Sequence, residues 1–408
     1  MILLYNILLS ICLLIALPFL FIFMPKRELK MRLGLHEEGN TGYIWFHCAS
    51  VGEVNALKPL LKVMKEKYPH DRILVTTMTL TGLETAKTVK EVDEATLLPF
   101  DLILLYKLLL KRYQPRLLII VETELWISLF HACRSAKIPV LIVNGRISDS
   151  SYGKYHFLSH FVKKTFSYVS FVGAQSEEDK KRFISLGFNN VHNTQNLKFC
   201  TRLPDIDVDK TKAEWGVSKE DFVIVWGSSR EGEEELILSY FRRLQRQIPN
   251  LLLIIAPRHL NRLPQIKEMS KKRRYSLLSK QKKQAKESDI IIIDSMGELV
   301  HAYAVADIAI VGGSFFDHGG HNPLEPLYYK TPTIIGSFHS SCRNLVEMLV
   351  ANEAIIISSR KKLVDDIIKL ADDEKLRKRY GDNGKKAIDN NSCSVEQNMQ
   401  FIKKYLSS

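Results

Sequence analysis

Hydrophobic positions in this chain fall into one long unbroken run and many short ones. From Ile2 to Met24 no side chain is charged. As a helix this run would rise about 35 Å, enough for a bilayer core of about 30 Å. Pro18 lies inside it, which a membrane helix tolerates. A cleaved signal peptide would have a charged start, a shorter apolar stretch and a small-x-small site, whereas this run ends in FIFMPKRELK. Residues 1–25 are therefore read as a transmembrane anchor helix. Lys26, Arg27, Lys30 and Arg32 follow it. The positive-inside rule then expects a single pass, with residues 25–408 on the cytoplasmic side.

The short runs alternate with amphipathic stretches. Expected strands are Tyr43–Cys48, Ile73–Thr77, Leu117–Val121, Val140–Val143 and Tyr168–Val172, then Phe222–Trp226, Leu251–Ala256, Ile290–Ile293, Ile308–Val311 and Thr333–Ile335. Helical patterns lie between them, as at 55–68 and 125–136. Continuous apolar strands alternating with helices indicate parallel sheets covered on both faces. The expectation is an α/β chain of two doubly wound Rossmann-like domains, 26–200 and 221–408, facing a cleft. Polar residues 201–220 read as the linker, and the last helix is expected to pack back on the first domain.

Composition changes this picture in one respect. Lys plus Arg is 58 against 45 Asp plus Glu, a net charge of +13, which draws the chain toward anionic partners. Cys12, Cys48, Cys133, Cys200, Cys342 and Cys393 include no CxxC pair, so a zinc ribbon or a disulfide scaffold is not indicated. No aromatic-and-basic motif points to nucleic acid.

In open parallel sheets ligands bind beyond the strand carboxyl ends, and here those ends are rich in small and ionisable residues. Gly227-Ser228-Ser229, Gly312-Gly313-Ser314 and Gly319-Gly320 are expected to offer backbone N–H groups to a phosphate, with Arg258 nearby. Neither GxGxxG nor GxxxxGKS is present. Glu325 either caps a helix or holds ribose hydroxyls. Glu53 and Glu122 either cap helices or serve as cleft carboxylates for proton removal. The acidic run Asp205-Ile206-Asp207-Val208-Asp209 reads as solvated linker. His156 and His160, spaced HxxxH without the glutamate of HExxH, read as ordinary histidines.

Eight ordered blocks stand out: IWFHCASVGE (44–53), ETELW (122–126), NGRIS (144–148), NLKF (196–199), EGEEE (231–235), APRH (256–259), MGEL (296–299) and GGS…GGHNPLEP (312–326). Together they resemble the Kdo (3-deoxy-D-manno-octulosonic acid) transferases of lipopolysaccharide synthesis. The resemblance implies an inverting GT-B glycosyltransferase that moves Kdo from CMP-Kdo to the lipid A precursor (lipid IVA) at the bacterial inner membrane. It implies Glu53 as general base and Glu122 and Lys198 as transition-state stabilisers. CMP contacts would come from Pro257, Arg258, Met296, Gly297, Glu298, Asn322, Pro323, Leu324 and Glu325. No metal or other cofactor is expected; the partners would be donor, acceptor and inner-membrane lipids.

The chain departs from the family pattern at Ile127-Ser128 (usually Pro-Asn), Gln195 (usually glycine), Arg230 (usually histidine) and Cys200 (usually aspartate). A glycine at 195 would permit φ > 0, so Gln195 bears directly on how Lys198 is presented. Two rival readings are a sugar-nucleotide epimerase of the same architecture, which needs no bilayer helix, and a non-catalytic membrane-surface binding protein. How many Kdo units are added, whether the acceptor needs a phosphate, and the oligomeric state are not legible.

Overall fold

A computed structural model describes residues 2–35, 39–157, 163, 165–200, 203–281, 288–391 and 394–406; His160 and Cys393 lie outside them. The chain forms two compact units, Met1–Thr201 with Asn391–Ser408, and Arg202–Asn390.

The first unit begins with helix α1 (Ile2–Phe23), long and apolar enough to cross a membrane, and a short helix α2 (Lys26–Arg32). Its sheet has strands β1 (Tyr43–Cys48), β2 (Arg72–Thr77), β3 (Glu94–Leu97), β4 (Leu117–Val121), β5 (Val140–Gly145), β6 (Val169–Ala174) and β7 (Val191–Asn193). All pairings are parallel, in the order β3-β2-β1-β4-β5-β6-β7. Every residue of β1 and β4 is buried, as a sheet covered on both faces requires.

The second unit repeats the plan with β8 (Phe222–Ser229), β9 (Leu251–Pro257), β10 (Tyr275–Leu277), β11 (Ile290–Ile292), β12 (Ile308–Val311), β13 (Thr333–Gly336) and β14 (Ile355–Ser358). Their order is β10-β11-β9-β8-β12-β13-β14, again all parallel.

The strand order reverses direction between β1 and β4 in one sheet, and between β8 and β12 in the other. At such switch points the loops diverge and leave a crevice at the strand carboxyl ends. The family-matched residues Glu53 and Glu122 follow β1 and β4, while Arg230 and Gly312–Ser314 follow β8 and β12.

One segment differs from the expected domain plan, and the last helix packs back on the first unit as expected. The expected linker contains a helix. Asp207 accepts the Lys210 N–H at 3.0 Å and opens a helix over Val208–Trp215, whose Trp215 is buried in the core of the second unit. One acid of the DxD run is thus a helix cap. Residues 394–406 belong with the first unit. There Val395, Met399 and Ile402 share a core with Val54 and Leu57 of helix α3 (Val51–Lys67).

Candidate functional site

At the first switch point, β1 ends at Cys48 and α3 begins at Val51. Ser50, extended at φ −135°, sits at the N-cap but makes no side-chain bond to the helix backbone. Its hydroxyl donates instead to Glu53 Oε1 at 3.0 Å, and the Ala49 N–H donates to Oε2 at 2.6 Å. Glu53 therefore folds back over the start of its own helix, with 9% of its surface exposed. Burial, and then the negative charge of Glu122, raise its pKa to about 7, while the bonds from Ala49 and Ser50 pull the other way. The capping and chemical readings thus coexist, since a carboxylate poised near neutrality is a competent general base.

Glu122 leaves β4 with φ +62°. Its N–H donates to Val143 O at 3.0 Å, and its Oε1 receives Lys198 Nζ at 3.3 Å. Lys198 stands on a single 3-10 turn, Leu197–Cys200. The buried amide of Asn144 holds that turn, its Oδ1 accepting the Leu197 N–H at 2.9 Å. Gln175 Oε1 accepts from Asn196 Nδ2 at 3.0 Å, and Asn196 Oδ1 accepts the Lys198 N–H at 2.9 Å. Glu122, Asn144 and Gln195 all adopt left-handed backbone, with φ of 62°, 56° and 62°. Such conformations cost energy for residues with a Cβ and concentrate where surrounding structure has a use for them. Gln195 thus adopts the positive φ that glycine would take freely, helped by Asn193 Oδ1 accepting its N–H at 3.0 Å.

In the second unit the Gly312–Ser314 turn does not form the expected phosphate cradle. Glu233, fully buried, accepts the N–H groups of Arg230 (2.9 Å), Gly313 (2.8 Å), Ser314 (3.0 Å) and Phe315 (3.0 Å). Burial raises the Glu233 pKa against the pull of these bonds. The amides of the turn after β12 are therefore already satisfied. Gly227 and Gly312 have a packing explanation: a Cβ would lie 1.9 Å from Tyr303 Oη at the first and 2.4 Å from Ser228 O at the second.

Basic side chains, Arg230, Arg258 and His259, cluster just beyond the carboxyl ends of β8 and β9. Arg258 follows β9, is exposed, and among the described residues its guanidinium makes no hydrogen bond or ion pair. It joins Ser228, Pro257, Ile293, Met296 and Gly297 around a small hollow. Arg230 Nη1 lies 2.5 Å from His259 Nε2. His321 is held neutral, its pKa lowered to about 4 by burial and then by Arg258 and Arg230. Glu325 sits in the first turn of the helix Leu324–Tyr328; burial raises its pKa and Arg258 opposes this. Asn322 Oδ1 caps the turn by accepting the Leu324 N–H at 3.1 Å, with Pro323 buried beside it. Met296 is 75% exposed, and Glu298 lies 3.7 Å from His301 on its own helix. Arg258 thus lines the hollow and acts electrostatically on Glu325.

Residues 27–201 match the family described as 3-deoxy-D-manno-octulosonic-acid transferase (kdotransferase), and residues 207–387 match glycosyl transferases group 1. The 3-deoxy-D-manno-octulosonic acid transferase of Haemophilus influenzae is 33% identical over 374 residues, covering 89% of this chain and 87% of that one. The chain belongs to the Kdo transferase family. It is a glycosyltransferase, and the enzyme of the same description from Chlamydia trachomatis serovar D is 30% identical over 92% of this chain and 89% of its own. Both units together have the GT-B architecture. A UDP-GlcNAc 2-epimerase from Neisseria meningitidis, solved with UDP-GlcNAc, shares the fold at a TM-score of 0.61 and 12% identity, over 89% of this chain and all of that one. Fold alone therefore does not separate transferase from epimerase; the sequence family does.

Sequence reasoning assigned no role to Glu233, Asn144, Gln175 or His321. Glu233, Asn144 and His321 lay inside quoted blocks and Gln175 lay outside them, but only the hydrogen-bond pattern shows Glu233 to be a scaffold carboxylate bound by four backbone N–H groups.

Proposed function

We propose that this Kdo transferase takes CMP-Kdo as donor and the lipid A precursor as acceptor, at the cytoplasmic face of the inner membrane. The observation that carries the reading is Glu53: a largely buried carboxylate at a switch point, with its pKa raised to about 7. Glu53 removes the proton from an acceptor hydroxyl, and that oxygen forms the new bond to the anomeric carbon of Kdo. The bond from that carbon to the CMP phosphate breaks with its electron pair, giving inversion and free CMP. Arg258 neutralises the charge that grows on the leaving phosphate. Lys198, paired with Glu122, supplies a positive charge near the reacting sugar. Glu325 receives ribose hydroxyls, and the Asn322–Leu324 turn and the Met296–Glu298 loop hold the remainder of the nucleotide. A donor with a carboxylate and a phosphate, and an acceptor with phosphates, suit a chain of net charge +13.

The test is purified full-length protein in detergent with CMP-Kdo and lipid A precursor, with products read by mass. Acceptor gaining Kdo with release of CMP is the expected result. Unchanged acceptor, or conversion of the nucleotide sugar without acceptor, overturns it.

A further inference from the structure

Three polar side chains interrupt the apolar sequence of α1 before its midpoint: Tyr5, Asn6 and Ser10. All three lie on one stripe of half-covered positions that continues through Leu9, Leu13, Leu17 and Leu20. This is the spacing of a single helix face. The opposite face, including Leu4, Ile11, Ile15 and Ile22, is exposed.

The covered face is fastened to the body. Tyr5 Oη donates to Asp101 Oδ2 at 2.7 Å. Asn6 Oδ1 accepts the Ile103 N–H at 2.8 Å, and Asn6 Nδ2 donates to Ser128 Oγ at 3.1 Å. The partners lie at the start of the helices Ile103–Tyr113 and Ile127–Ser135. At the other end of the segment, buried Arg32 donates from Nη1 to Leu98 O at 3.0 Å. Leu98 and Asp101 belong to one short loop.

These bonds conflict with a crossing orientation. Between Tyr5 and Phe23 a helix rises about 27 Å. If α1 crossed the bilayer, Tyr5 would lie on the far side of the hydrocarbon core from α2. Yet both ends of the segment hold the same loop of a soluble α/β unit, and burying its charged surface in lipid would be prohibitive.

The body continues the exposed apolar face. On the helix Ile103–Tyr113, Leu104 and Leu108 are 68% and 38% exposed, and Lys107 and Lys111 share their face. Leu35 is exposed nearby. Lys26, Arg27 and Lys30 are exposed on and beside α2. Apolar tips interleaved with lysines suit the boundary between acyl chains and anionic headgroups, where lysine stems lie in the apolar layer and their charges reach the phosphates.

We propose that α1 lies along the surface of an anionic bilayer, docked to the first unit through Tyr5 and Asn6, with both of its ends on the side where the body sits. Length and composition suffice for a crossing; the polar docking bonds are what turn the helix sideways. The proposal does not depend on the donor or acceptor named above.

The test uses the full chain in sealed inner-membrane vesicles of known orientation. An epitope tag ahead of Met1 is expected to be digested from the same side as the body. In the Asn6→Cys, Ser128→Cys double variant, oxidation in the membrane is expected to give an intramolecular crosslink. A tag on the side opposite the body, or no crosslink, overturns the proposal.

Discussion

Lys198 Nζ lies 3.3 Å from Glu122 Oε1, joining residues 76 positions apart. The pair shields only one side of a carboxylate whose negative charge also raises the pKa of Glu53. Neutralising Glu122 therefore acts at a distance on the base. In Glu122→Gln the acid limb of kcat/KM is expected to move to lower pH than in the parent. A profile that falls in rate without moving would show that the two carboxylates are not coupled.

Glu53 sets two pH dependences of opposite benefit. In the proposed role of base it works only when ionised, so kcat/KM is expected to rise with pH up to about 7 and then level. Glu53→Gln is expected to lose about 10²–10⁴-fold in turnover and to lose this limb. Stability runs the other way. The folded pKa lies above the ordinary carboxylate value of 4.5, so the folded state holds the proton longer than the unfolded chain. Its contribution is full below that ordinary value and is lost as pH rises through about 7. Glu53→Gln is accordingly expected to gain in Tm relative to the parent at pH 8, and less or not at all at pH 5.

Asn144 and Gln195 present Lys198 at a backbone cost, with φ of 56° and 62°. Asn144→Ala removes the acceptor of the Leu197 N–H and keeps the strain, and is expected to cost about 1–3 kcal/mol. Asn144→Gly relaxes the strain but loses the same acceptor, so activity should stay low while stability partly recovers. Gln195→Gly is expected to be stable and fully active. Denaturant midpoints beside kcat separate these outcomes.

Glu233 organises its loop by charge. Glu233→Gln offers one acceptor oxygen and an N–H₂ group to a ring of backbone donors, leaving buried N–H groups unmet. A loss of about 3 kcal/mol or more is expected in the denaturant stability of the folded protein. Weakened CMP binding should accompany it, because Arg230 is held through the same carboxylate. Isothermal titration with CMP measures the second effect.

The central strands were readable because residues buried on both faces must be apolar, as in LLIIV of β4. The strands that escaped reading, β3, β7, β10 and β14, are the outer strands of the two sheets. Three of them are EATL, VHN and YSL, too short and polar to show a period. Glu53 and Arg258 stood out in the sequence because ionisable side chains just beyond buried apolar strands call for an explanation. The sequence was misleading at Gly312–Ser314, because a glycine demanded by close packing looks the same in sequence as one that serves a phosphate. The helix within the linker, residues 208–215, was not legible because its polar face dominates and only Thr211 and Trp215 are buried.

The return of residues 394–406 to the first unit has a consequence for biogenesis. Val54 and Leu57 emerge from the ribosome long before Val395, Met399 and Ile402, which cover them. The first unit thus waits, with an oily seam open, while the second unit is synthesised. Translation slowed between those two points lengthens the interval in which chaperones, rather than the protein's own tail, must guard that seam.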